Sequence, residues 1–137
     1  MTEQESRDFL RRRHEGFTSY CGIRIDEAAD GLCRAHVALE ARHLNPRGFV
    51  HGGLLCTLMD VAAGSAAITA CEPPRMMVTQ SAELHYLRPA AGGVLTAAAR
   101  TVKAGRSVAF VQVDVTDETG KLVAAGSFEL FYIAEEP

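Results

Sequence analysis

Two periods of hydrophobicity run along the chain. From Gly53 to Cys71 apolar residues fill nearly every position, among them Leu54, Leu55, Leu58, Met59, Val61, Ala62, Ala66, Ala67 and Ile68. That length and density predict a helix covered on most sides, closed by Glu72-Pro73-Pro74, which cannot continue it. Elsewhere the period is two. Residues 22–29 and 32–39 read as strands joined at Asp30-Gly31, a dipeptide suited to a tight hairpin turn. In the second, Cys33, Ala35, Val37 and Leu39 alternate with Leu32, Arg34, His36 and Ala38. After the helix come residues 76–88, 94–104, 106–117 and 121–133, all strand-like, with Ala109, Val111, Val113 and Val115 on one face. Pro89 to Gly93, Gly105 and Asp117 to Gly120 punctuate them.

At the N-terminus, Thr2 and Glu5 match a capping box, predicting a short helix to about His14 within residues 1–16, with Phe9, Leu10 and Phe17 as its apolar side. Arg11, Arg12 and Arg13 then read as a solvated helix face. The order is a short helix, two strands, a long helix at 53–71 and four strands, with no linker between them. An α+β fold follows, in which a curved antiparallel sheet wraps around one long central helix. The small residues Ala62 to Ala67 admit close neighbours, and a second copy would cover what one sheet leaves open.

Size and charge narrow the function. The 137 residues suit one domain, and with hydrophobic residues at 47% the chain can fill a core rather than remain disordered. Fourteen basic residues against seventeen acidic ones give −3, so no global field draws in nucleic acid. Cys21, Cys33, Cys56 and Cys71 lack C-x-x-C spacing, and neither a signal segment nor a membrane span is read, since Asp60 interrupts the apolar run. The expectation is a cytoplasmic protein without disulfides, metal or redox cofactor.

The chemistry concentrates in Asn45-Pro46-Arg47-Gly48-Phe49-Val50-His51-Gly52-Gly53 and the helix that follows. The first amides of a helix lack internal acceptors and sit at its positive end, so those of Gly52 and Gly53 suit an anion or an oxygen that becomes anionic. The glycines also simply turn the chain into the helix. Asp60 lies two turns in, among Leu58, Met59, Val61 and Ala62. A carboxylate there calls for a partner or a task, as base or nucleophile. His36, His43 and His85 form no three-ligand zinc set and read as structural.

The spacing Asn45…Gly48…His51-Gly52-Gly53…Leu58-Met59-Asp60 resembles the signature of the hotdog-fold acyl-CoA thioesterases, more specifically their phenylacetic-acid-degradation branch. Leu84 to Pro89, Val102 to Ser107 and Gly120 to Ala124 resemble later segments of that branch, so the likeness runs from about Gly22 to Ile133. It implies an acyl- or aryl-acyl-CoA substrate cleaved to free acid and CoA. The Gly52 amide would polarise the thioester carbonyl. Asp60 would come from the other protomer and attack directly or activate water. Asn45 would orient water or thioester, His51 would shape the site or hydrogen-bond near the thioester, and Thr79 would help hold water. Gly53 would contact substrate, and the assembly would be a homodimer pairing into a homotetramer.

Arg88, Lys103 and Arg106 lie near strand ends and could meet the phosphates of CoA. Two other readings compete: an acyl-CoA-binding hotdog protein without catalysis, and a hydroxyacyl-thioester dehydratase. Asp60 disfavours the first. Its place nine residues after His51, on the long helix, disfavours the second.

Overall fold

The computed structural model describes residues 2–134; Met1 and residues 135–137, which the sequence reading includes in the domain, lie outside the described residues. The elements are α1 (Glu3–Arg11), α2 (Phe17–Tyr20), β1 (Ile23–Ala29), β2 (Leu32–Ala38), a 3-10 turn (Ala41–His43), α3 (Gly52–Thr69), β3 (Met77–Tyr86), β4 (Val94–Ala104), β5 (Val108–Thr116) and β6 (Leu122–Tyr132). The six strands form one antiparallel sheet in the order β1-β2-β4-β5-β6-β3, and α3 packs on all six. This is the curved sheet around a central helix that the pattern predicts.

Alternation decides what α3 touches. Ala35 and Val37, Leu95 and Ala97, Val111, Val113 and Val115, and Phe128 and Leu130 point inward and are almost wholly buried. Twelve residues of α3 are buried as well, from Leu54 to Ile68. Asp30 and Gly31, both at positive φ (53° and 80°), turn β1 into β2. Strands β5 and β6 are interior, whereas β3 is an edge strand with only Met77 buried.

A bulge between Thr79 and Ser81 changes the parity of β3. Before it, Met77 and Thr79 pair with the inward residues Tyr132 and Leu130. After it, Ala82, Leu84 and Tyr86 pair with Phe128, Gly126 and Ala124. Simple alternation over 76–88 misses this change. Without the extra residue, Ser81, Glu83 and His85 would face the helix in place of Leu84 and Tyr86.

Helix boundaries differ from those predicted. The central helix runs over Gly52–Thr69 rather than 53–71, because the Thr69 hydroxyl bonds back to the Ser65 and Ala66 carbonyls and receives the Gly31 amide, ending the helix before the prolines. The N-terminal helix has the predicted capping box but stops at Arg11. Gly16, with φ 66° and ψ −128°, separates it from α2. Leu10 packs on the core, but Phe9 and Phe17 are exposed and Ser6 is the residue α1 buries.

Candidate active site

The segment 44–50 folds back on itself before entering α3. Leu44 and Val50 form an isolated antiparallel bridge, and Gly48 takes the left-handed conformation (φ 86°) the turn requires. The Asn45 side-chain oxygen accepts the Arg47 and Phe49 amides at 2.9 and 3.2 Å. One end of its carboxamide therefore shapes the loop and the Nδ2 end remains available to donate. His43, buried, locks this region by accepting the Glu40 amide at Nδ1 and donating from Nε2 to the Cys21 carbonyl. Its own carbonyl accepts the His51 amide, so the histidine read as structural positions the helix start.

The start of α3 distributes its free amides unequally. His51 is the N-cap, and its Nδ1 accepts the Gly53 amide at 3.1 Å. The amides of Leu54 and Leu55 go to the His51 carbonyl. That leaves the Gly52 amide, which finds no acceptor among the described residues. Gly53, grouped with it from sequence as a substrate contact, has its amide committed to the imidazole. His51 also lines a cleft of about 270 Å3 with Phe17, Tyr20, Arg42, Gly53, Leu54 and Thr57, among others.

Asp60 sits just under one turn beyond Thr57, half-buried rather than enclosed. Its Oδ1 accepts the Thr79 hydroxyl at 2.7 Å. Thr79 is thus brought to Asp60, and the bulge that follows lets Tyr86 face the same helix at Gly52. Along a regular helix, the eight residues from Gly52 to Asp60 span about 12 Å. A single carbonyl group cannot touch both the Gly52 amide and the Asp60 carboxylate of one protomer.

The basic residues do not form one patch. Arg88 follows β3 near the start of α3, its amide on the Val123 carbonyl. Lys103 and Arg106 belong to the β4–β5 hairpin at the other end of the sheet, roughly 25 Å away by strand rise. A bulge turns Lys103 to pair with Phe110 on the outer face. The largest depression described, about 660 Å3, also lies against the sheet and includes none of the predicted site residues.

A family model described as Thioesterase superfamily matches residues 47–124, spanning the free amide, Asp60 and Thr79. The chain belongs to the thioesterase superfamily. Among its relatives is human acyl-coenzyme A thioesterase 13, 34% identical over 76% of this chain and 75% of that protein. Among solved structures, a conserved protein of Pseudomonas aeruginosa superposes with a TM-score of 0.84 at 30% identity, covering 90% of this chain and 98% of that one. A mutant of the phenylacetic acid degradation protein PaaI from Thermus thermophilus does so with 0.79 at 32% identity, covering 87% and 100%. The fold is the hotdog fold of this superfamily.

Two residues that the structure places beside these candidates were not singled out from sequence. The Tyr86 ring lies over Gly52, where a Cβ would be 3.2 Å from its Cε2. The close approach that the glycine permits is therefore to this ring. Desolvation first, then the nearby Cys56, pushes the Tyr86 phenol above its usual value. The other is Arg13. Arg11 and Arg12 are exposed and pair with Asp8 and Glu15, as a solvated face should. Arg13 instead leaves the helix and lies on α3, donating to the Ser65 hydroxyl and the Val61 carbonyl. The available signal was Gly64, whose missing side chain makes the room: a Cβ there would be 2.6 Å from the guanidinium.

Proposed function

We propose that this protein hydrolyses acyl-CoA thioesters at sites shared between two copies of the chain. The observation that carries the reading is the pairing, on one helix, of an unclaimed N-terminal amide at Gly52 with a hydrogen-bonded carboxylate at Asp60. The amide donates to the thioester oxygen, and its bond strengthens as negative charge develops there. The carboxylate attacks the carbonyl carbon or removes a proton from the attacking water. Either way a C–O bond forms and the C–S bond breaks; where the carboxylate attacks, the bond formed is that of a mixed anhydride with Asp60, which water then cleaves to release the acid and restore the carboxylate. The CoA sulfur leaves as a thiolate that is protonated, and water supplies the second oxygen of the acid.

The remaining residues prepare that step. Thr79 fixes the Asp60 carboxylate through Oδ1, leaving Oδ2 for the reaction. His51 occupies the neighbouring amide, so the Gly52 N–H is the donor left for substrate. Asn45 offers Nδ2 to water or thioester while its oxygen holds the loop. Because one chain cannot bring Gly52 and Asp60 to one carbonyl, each site takes the amide from one protomer and the carboxylate from its partner. The same two-fold relation carries Arg88 of one chain towards the Lys103 and Arg106 end of the other, where phosphates of CoA would be met by both. The relative named acyl-coenzyme A thioesterase 13 supports this choice of substrate class.

The test is free-thiol release from a panel of aliphatic and aromatic acyl-CoAs, with Asp60→Asn as the control. Parental activity on at least one member, lost in the variant, is the expected result. Binding of every member without thiol release would make this a non-catalytic acyl-CoA-binding protein.

A further inference from the structure

The cavity of about 390 Å3 beside Asp60 has a second wall that the thioesterase reading does not use. On the helix side it is lined by Cys56, Thr57, Asp60 and Val61; on the other by the N-terminal segment, with Arg13 among its residues. Arg13 is partly buried and tied down at two points. Its Nε donates to Ser65 Oγ at 2.8 Å, and a terminal nitrogen donates to the Val61 carbonyl at 3.1 Å. Ser65, itself buried, donates to that same carbonyl. Gly64 leaves the space in which the guanidinium lies.

A cation placed this way is costly without an opposite charge nearby. Among the described residues, no carboxylate comes within 4 Å of the Arg13 guanidinium. Burial pulls Arg13 below the usual arginine value, and the negative charge of Asp60 is the larger of the influences opposing that shift. The other charged groups at this cavity are Arg12 and Glu15, which pair with each other at 3.0 Å on its rim. The thiol of Cys56 lines it from α3, and that of Cys33, held up to about 11 by burial, approaches Arg13 from β2. Neither thiol offsets the cation. Among the described residues, Asp60 is the carboxylate that shares the cavity with Arg13 and is not paired to another cation.

We propose that Arg13 is a positioning residue for Asp60. From its seat on α3 it holds a positive charge across the cavity from the Asp60 side chain and so orients that carboxylate for the reaction. The N-terminal segment is then part of the active site rather than an outer layer. The mechanism is electrostatic and acts through Asp60, so it is indifferent to which acyl group is bound. The inference rests on the thioesterase reading above.

Thiol release should be measured for the parent, Arg13→Met, Arg13→Lys and Arg13→Ala, each with two chemically different acyl-CoAs. Arg13→Met is expected to lower kcat about tenfold or more on both substrates with KM little changed. Arg13→Lys should recover most of the loss, and added guanidinium ion should raise kcat of Arg13→Ala but not of the parent. Unchanged kcat in Arg13→Met overturns the proposal. So does a loss confined to one acyl group or to KM, which would make Arg13 a substrate contact. Equal losses in the Met and Lys variants, with earlier melting and no guanidinium rescue, would make it a purely structural anchor and overturn the proposal too. A parent inactive on every acyl-CoA would instead sink the thioesterase reading itself.

Discussion

At Asp60 the difference between a fixed carboxylate and a rotating one is the single hydrogen bond from Thr79. Replacing Thr79 with Val keeps the β-branched shape on an exposed strand position and removes only the hydroxyl. At this exposed position the bond adds little to folding stability, so the melting temperature should change little, while the freed carboxylate should lower kcat about tenfold. Asp60→Asn retains an oxygen that accepts from Thr79 but removes both base and nucleophile. Thiol release should drop by at least about a hundredfold while circular dichroism and the thermal midpoint stay near parental. If the variant keeps its activity, the carboxylate is not the reacting group; if it unfolds, Asp60 is structural. His51→Ala removes the cap on the Gly53 amide and should cost about 1 kcal/mol, read as a lowered urea midpoint. Asp60 was legible in the sequence because a carboxylate inside an apolar helix is conspicuous. Arg13 was not, because three consecutive arginines look alike until the Gly64 and Ser65 that seat one of them are brought alongside.

Strands and helices were legible wherever one face is buried throughout. In β5, Ala109, Val111, Val113 and Val115 alternate with outward residues and are buried to the last. Strand β3 is less readable, because an edge strand with few buried positions carries little hydrophobic signal, and its bulge breaks the period where the signal is weakest. The pattern placed β5 and β6 inside the sheet and β3 at its edge, but not the pairings of β3 with β6 and β2 with β4, which depend on contacts distant in sequence. Amide exchange tests the result. Interior strands β5 and β6 and residues 54–68 of α3 should exchange slowest, near the global unfolding limit, with β1 and the α1–α2 segment faster. Rapid exchange across β5 or β6 would contradict their interior places in the sheet. The behaviour of β3 depends on assembly, since its outward amides are protected only if another chain pairs with them.

One protomer leaves the region around the helix start apolar and uncovered. Phe17 and Tyr20 are 65% and 75% exposed, and Tyr86 and Leu87 are more than half exposed, beside the free edge of β3. Monomeric proteins seldom tolerate such a patch next to an unpaired strand. The two-fold pairing proposed above would cover both and bring the Gly52 amide of one chain to the Asp60 of the other, which the span of about 12 Å denies to a single chain. Complementation between two inactive variants distinguishes the shared site from a self-contained one. Gly52→Pro removes the amide donor at the first helical position, where proline suits the helix backbone and its Cβ pushes the Tyr86 ring aside. A Gly52→Pro chain keeps its carboxylate, and an Asp60→Asn chain keeps its amide, so a mixed dimer contains one whole site and one doubly defective site. With free exchange at equal concentrations, about a quarter of parental activity should return, since half the dimers are mixed and half their sites intact. Chains labelled with a donor and an acceptor fluorophore report the exchange independently. Exchange without recovered activity would place both groups of a site on one chain, and full parental activity in a species that sediments as a monomer would remove the shared site from the mechanism.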